Sequence, residues 1–513
     1  MSSPFRPLAA GSISVLTAAL LTACATQPPP PLPDATPAAW TNAEPPAGPA
    51  TAAAPAVSLR GWWKAFNDPV LDALVDQALA QNLDLAQAVA RLRKVQALSV
   101  VDERRFRPVI SANARTLQDT SATDTYFHAS VDMVWELGLF GEAESVAQAS
   151  RAGWLATQAR DQALRVSVVA EVVQRYLELQ SQAEALRRQD EALALEQDAL
   201  GLDRARQEAR LSTADETDQL RIRIAQIQAA QAALRDAQEA SARALATLLG
   251  HSAPDPAWKR LAGVSRPAST RVAELPSDLL RTRPDIQAAE ATVLQAAADV
   301  GIARSALYPR LYLGGSFLYA YNLTANRRTN SGSEPALGPV IDIPLWDWGV
   351  RRLRVQAGEH ELDAALIGYR KAVLDGVNEV ETALSSLARA GDRVEALGSA
   401  CEAVERRLGS QATLQGLGLS SRYDRLELRR LDFQAQADLA SARHARSTAF
   451  IALYKALGGA PLPPVDEEAQ AAAAPRADAA PQAAAPIATA TPAASAPAPA
   501  AATPRAATPG ARP

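Results

Sequence analysis

The chain has 513 residues, of which 21% are Asp, Glu, Lys or Arg, and a formal net charge of -4. Lacking the basic surplus that neutralising a phosphate backbone needs, it is a poor fit to nucleic acid as partner. Two cysteines, Cys24 and Cys401, are too few for a disulfide framework, and four scattered histidines (His128, His251, His360, His444) have no metal-ligand spacing.

Residues 1–23 read as a signal peptide: Arg6 precedes an apolar run from Leu8 to Leu21 that is too short to span a membrane. The run ends in Leu21-Thr22-Ala23-Cys24, which resembles a lipobox. That resemblance implies cleavage before Cys24, covalent lipid on Cys24 and, with Ala25 rather than Asp following, sorting to the outer membrane. Acyl chains contribute about 0.8 kcal/mol per buried methylene, so two or three hold a protein firmly at a lipid surface. Residues 24–57, dense in Pro and Ala, and residues 461–513, almost wholly Ala, Pro and Thr, cannot bury enough apolar surface to offset their ordering entropy. The first is expected to be a lipidated tether and the second a disordered tail.

No proline interrupts the chain between Pro108 and Pro254, or between Pro344 and Pro461, so very long helices are permitted there. In the first stretch Leu179, Leu186, Leu193 and Leu200 recur every seven residues. In the second, Leu362, Leu366, Tyr369, Val373, Val377, Val380, Leu384 and Leu387 step by three or four, and the stripe continues through Val394, Leu397, Cys401, Val404 and Leu408. These runs predict coiled-coil seams, with Cys401 a packed structural thiol. At a rise of roughly 1.5 Å per residue, a helix of about fifty residues spans about 75 Å, longer than a compact domain needs.

Before each helical stretch the period changes to two. Phe127, Ala129, Val131, Met133, Trp135 and Leu137 alternate with Tyr126, His128, Ser130, Asp132 and Glu136; a weaker case runs from Ile110 to Thr116. Leu311, Leu313, Gly315, Phe317, Tyr319 and Tyr321 alternate with more polar neighbours, as do Leu337, Ile341, Ile343 and Leu345. Such strands fit a barrel with lipid outside and water inside, or an amphipathic sheet resting on the helices of a soluble domain. Four strands cannot close a barrel, and an open sheet in hydrocarbon leaves its edge amides and carbonyls unpaired at several kcal/mol each. A barrel must therefore be shared by more than one chain; three chains would give twelve strands.

The halves look alike. Phe106-Arg107-Pro108 parallels Tyr308-Pro309-Arg310, Phe140-Gly141 parallels Trp348-Gly349, and the run from Leu211 to Arg221 parallels that from Leu417 to Glu427. The body therefore divides into residues 58–255 and 256–460, two repeats each supplying helices, a strand pair and a long helical hairpin.

With these pieces placed, the chain resembles the TolC-like outer membrane factors, and within them the NodT-type efflux lipoproteins. The residues that carry the resemblance are Trp62-Trp63 with Phe66 and Asp68-Pro69, Trp135-Glu136-Leu137-Gly138-Leu139-Phe140-Gly141, and Glu274-Leu275-Pro276. Arg283-Pro284-Asp285-Ile286 leading to Glu290, Tyr308-Pro309 and Pro344-Leu345-Trp346-Asp347-Trp348-Gly349 complete the set. Gly138, Glu142 and Thr282 depart from the family pattern, which has an acidic residue and two arginines there. The resemblance implies a mainly helical fold with a membrane β-barrel: a homotrimer in which four strands per chain make a shared twelve-stranded barrel continuing into a periplasmic tunnel of coiled-coil hairpins. It implies the exit duct of a tripartite efflux system, in the outer membrane lipid, docked to a periplasmic adaptor protein and an inner-membrane RND-type transporter. It implies no enzyme, no metal and no cofactor beyond the lipid on Cys24, and the sequence has no phosphate-binding loop.

By the same resemblance the aperture lies beyond the hairpin turns, near Ser212-Thr213 and Gly416 to Ser421, at Asp218 with Arg221 and at Tyr423, Asp424 and Glu427. Glu427 stands where a pore-facing Asp is usual and Tyr423 where an apolar constriction residue is usual. A threefold ring of carboxylates at a narrow neck repels itself, attracts cations and raises its own protonation range; the alternative is solvated positions on a polar helix face. Two other functions compete: a duct for type I protein secretion, and a lipid-anchored periplasmic coiled-coil scaffold with no pore.

Overall fold

The computed structural model describes residues 31–32, 40–41, 58–118, 125–261, 263–267, 282–323 and 332–460. The signal peptide, Cys24, the Glu274-Leu275-Pro276 motif, the tail and most of the tether lie outside these residues. A short 3-10 segment, Leu59–Phe66, leads into α1 (Pro69–Gln81), α2 (Leu83–Arg104), β1 (Val109–Gln118), β2 (Thr125–Glu136), α3 (Glu142–Glu208) and α4 (Ala214–Leu248). A second 3-10 turn, Pro256–Arg260, is followed by α5 (Pro284–Ser305), β3 (Arg310–Asn322), β4 (Gly332–Asp342), α6 (Val350–Gly416) and α7 (Arg422–Ala456).

The duplication is visible in the element lengths. α3 and α6 have 67 residues each, α4 and α7 35 each, and α2 and α5 22 each. A 67-residue helix at 1.5 Å per residue is about 100 Å long. Even the turns match: Phe140 and Gly141 enter α3 at φ 56° and 79°, and Trp348 and Gly349 enter α6 at φ 57° and 83°. Two of the sequence parallels shift in register. Tyr308 corresponds to Arg107, not Phe106, because α2 and α5 end on Arg104 and Ser305. Leu211 corresponds to Leu419, not Leu417, because Thr213 and Ser421 are the N-caps of α4 and α7.

Local signals explain the boundaries. Asp68 caps α1 by accepting from the Val70 and Leu71 amides, with Pro69 at the first helical position where no amide bond is lost. Asn82 does the same for α2. The α1 cap is also a tertiary junction, since the other carboxylate oxygen of Asp68 accepts from Tyr176 at 2.7 Å and Ser265 at 2.6 Å. Burial pushes the Asp68 carboxyl up, but these hydroxyls and the two amides hold it below its ordinary value; burial, and then the bond to Asp68, push the Tyr176 phenol up.

The strands form one antiparallel sheet in the order β1-β2-β3-β4. Val131 and Met133 stand opposite Phe317 and Gly315, and Leu313 and Gly315 opposite Pro339 and Leu337, so the apolar residues of all strands share a face. The other face carries Asp132, which accepts from Asn113, Ser130 and Ser316. Among the described residues nothing covers the apolar face; Leu337 is 73% exposed and Ile110 70%. β4 begins five residues earlier than its alternation suggested and stops at Asp342, because the next residue whose amide would face β3 is Pro344, which has no amide hydrogen.

The main core lies where Trp62, Trp63 and Phe66 pack on α3 and α7. Trp62 stacks on Tyr454 at 5.8 Å and donates its indole N–H to the Gly459 carbonyl. Arg283 of the Arg-Pro-Asp motif is buried and binds Asp285, Glu379 and the Ala456 carbonyl, which locks the start of α5 onto α6 and the end of α7. The α6 stripe is inward throughout, but Cys401 is half-buried and borders an open recess with Arg188, Arg425, Arg429 and Arg443, so it is not sealed in the seam. In the α3 heptad only Leu179 is fully buried. One tether residue departs from the expectation of disorder: Trp40 packs against Ile286 and Val373.

Candidate channel aperture

Both hairpins end in the same turn. α3 closes with Arg210 in the left-handed region and a bond from the Leu211 amide to the Arg206 carbonyl; α6 closes with Gly418 in that conformation and a bond from Leu419 to Leu414. In the first turn the Ser212 hydroxyl donates to Asp203, and the Thr217 hydroxyl donates to the same carboxylate at 2.6 Å. Asp203 is 1% exposed. Burial pushes its carboxyl up, but the two hydroxyls and nearby Arg206 bring it below the usual carboxylate range. Gln411 and Ser420 occupy the corresponding places in the second turn.

The aperture residues named from the sequence divide by what they touch. Asp424 belongs to a capping box: Ser421 accepts from the Asp424 amide, and the Asp424 carboxylate accepts from the Ser421 amide at 3.0 Å and hydroxyl at 2.7 Å. The Ser421 hydroxyl, then its amide, hold that carboxyl below its ordinary value. Its counterpart in the first hairpin is Glu216, not Asp218. Tyr423 is half-buried beside Ala199, Leu220 and Leu426, with the Arg206 guanidinium 4.6 Å from its ring centre. It thus ties α7 to the end of α3.

Glu427 is 54% exposed and pairs with Arg430 one turn on; Arg223 of α4 approaches to 4.0 Å. Arg430 in turn holds the buried Glu196 of α3 through two bonds of 2.6 Å. Two arginines therefore offset the Glu427 charge within one chain. Asp218 and Arg221 pair with each other at 3.0 Å on an exposed face of α4. Glu196, Arg430, Asp203 and Arg206 were not legible as site residues. The one available signal was an acid, Glu196, set between Leu193 and Leu200 of a leucine repeat, where a charge needs a partner.

A long pair of helical hairpins joined to a sheet with a bare apolar face is the anatomy of a channel, and comparison with known proteins agrees. The family profile described as outer membrane efflux protein matches residues 74–251 and 275–459. The chain belongs to the outer membrane efflux protein family. This efflux protein is 30% identical over 472 residues to the pyoverdine export outer membrane protein OpmQ of Pseudomonas putida, covering 86% of this chain and 95% of the relative. Nodulation protein T of Rhizobium leguminosarum bv. trifolii is 25% identical, over 78% of this chain and 88% of that one. Among solved structures, the outer-membrane channel OprN superposes with a TM-score of 0.73 at 27% identity, over 85% of this chain and 99% of its own. The efflux protein thus has the TolC-like fold and a place in the outer membrane, and its family is one of ducts, not enzymes.

Proposed function

We propose that this efflux protein is the exit duct of a tripartite system, a homotrimer whose three sheets close one barrel and whose hairpins line one tunnel. Cys24 carries the lipid, a periplasmic adaptor docks on the hairpins, and an RND-type inner-membrane transporter delivers small solutes that leave passively. The observation that carries this is the uncovered apolar face of a sheet continuous with helices 67 residues long. A periplasmic scaffold has no use for such a face, whereas hydrocarbon does. The relative named for pyoverdine export favours a small solute over secreted protein.

The aperture reading stays with Tyr423, Asp424, Glu427, Asp218 and Arg221, now joined by the Arg430–Glu196 pair that positions Glu427. The deciding experiment is single-channel recording of the detergent-solubilised protein, with its size on gels before and after heating. Discrete pores from a heat-labile oligomer are expected. A monomer that inserts no pore would remove the duct and leave the scaffold.

A further inference from the structure

The sheet has two open edges, β1 and β4, and the internal duplication relates them. In the repeat, Val109 corresponds to Arg310 and Phe140 to Trp348. Carrying the β1–β2 ladder across by these equivalences reproduces the β3–β4 ladder residue for residue: Val109 opposite Val134 becomes Arg310 opposite Asp342. The same operation on the β2–β3 ladder yields a pairing that one chain cannot make, β4 of one copy against β1 of another. Val134 opposite Gly314 becomes Asp342 opposite Asn113, and Met133 opposite Gly315 becomes Ile341 opposite Ala114.

Three further observations agree with this register. It sets Ile341 and Leu345 against Ala114 and Ile110 on the apolar face and Asp342 against Asn113 on the polar one, whereas a slip of one residue would invert every face. Next, the Leu137 amide donates to Leu311 at the end of the β2–β3 ladder, so alternate residues in phase with Leu137 point toward β3. Carried over, Pro335 and Pro339 direct their nitrogens away from β3, so the β3–β4 ladder loses no donor, and the bonds of the joint come from the amides of Ile341, Ile343 and Leu345, which face the neighbour. Finally, Phe140 stacks on Tyr308 at 4.9 Å and 15° where β2 leaves the sheet. The equivalents are Trp348, 84% exposed, and the exposed Arg107, an indole and a guanidinium that stack favourably.

We propose that β4 of one copy pairs antiparallel with β1 of the next, with Asp342 opposite Asn113 of the neighbouring copy and Trp348 stacked over that copy's Arg107. The proposal rests on the reading that several copies share one barrel, and adds the register and the contact that join them.

The test is oxidative crosslinking of the full-length protein with Cys401→Ser. Asp342 and Asn113 fall at a position without ladder hydrogen bonds, where side chains lie close enough for a disulfide. Asp342→Cys with Asn113→Cys should give reductant-sensitive dimers and trimers that survive heating, several-fold more than Asp342→Cys combined with Ser111→Cys or Arg115→Cys. Crosslinking of a shifted pair instead, or a silent matched pair in a protein that still runs as an oligomer, overturns the register. A monomer that forms no pore overturns the shared barrel itself. Trp348→Ala should lower the temperature at which the oligomer dissociates and have little further effect when Arg107→Ala is already present; additive effects would remove the stacking contact.

Discussion

Arg430 shows how a charge that reaches into a leucine repeat holds two hairpins together. Both of its bonds to Glu196 are short and Glu196 is buried, so Arg430→Ala strands a carboxylate in the core. Breaking a buried pair from one side costs about 3–5 kcal/mol, and a drop of that order in unfolding free energy is expected, read from denaturant unfolding; Arg430→Lys, which has no fork, should recover only part. Glu427→Ala leaves the buried pair in place, so stability should hold while single-channel conductance rises or divalent block weakens. Unchanged conductance and block would take Glu427 out of the gate. Asp203 adds a pH dependence at the first turn. Its folded carboxyl lies below the ordinary value, so its contribution is complete above the usual carboxylate range and is lost as pH falls through the lowered value. Limited proteolysis at Ala209–Thr213 should therefore accelerate on acidification, and Asp203→Asn should make cleavage fast at neutral pH and flatten that profile.

Among elements, the strand-to-helix turn and the aromatic segment set the geometry. Gly138 departs from the family's acidic residue for a reason visible here. Its φ is +53°, and a Cβ would lie 2.5 Å from the Phe106 ring. Gly138→Ala is expected to cost about 1–3 kcal/mol through overpacking, measured by thermal unfolding, whereas Gly391→Ala, in open space within α6, should be neutral or slightly stabilising. Glu142, the second departure, is buried near Arg105 and Arg310 at 3.4 and 3.8 Å, a carboxylate matched by two arginines. Trp62 is fully buried against Phe450 and Tyr454, so Trp62→Ala should cost about 3–5 kcal/mol. Helix and strand were legible because they depend on near neighbours: the proline-free runs with their apolar stripes, and alternation along β2. The pairings Glu196–Arg430 and Arg206–Tyr423 were not, because they join residues more than two hundred positions apart, and nothing in either segment marks its partner.

For the whole molecule, the sequence by itself determined the kind of object. Proline-free stretches dictated long helices, period-two segments dictated amphipathic strands, and four strands are too few to close a barrel, so a barrel would need other copies. Its repeats also announced the duplication, although similarity alone misplaced two parallels by one and two residues, since short motifs slide where caps and ladder bonds cannot. Tertiary structure alone decided the rest. It set the strand register that carries one repeat onto the other, the burial of Arg283 and Asp203, and the neutralisation of Glu427 by arginines from two helices. The physical reason is the range of the forces involved: helix and strand formation respond to residues a few positions away, whereas burial and ion pairing depend on what the fold brings into contact across the chain.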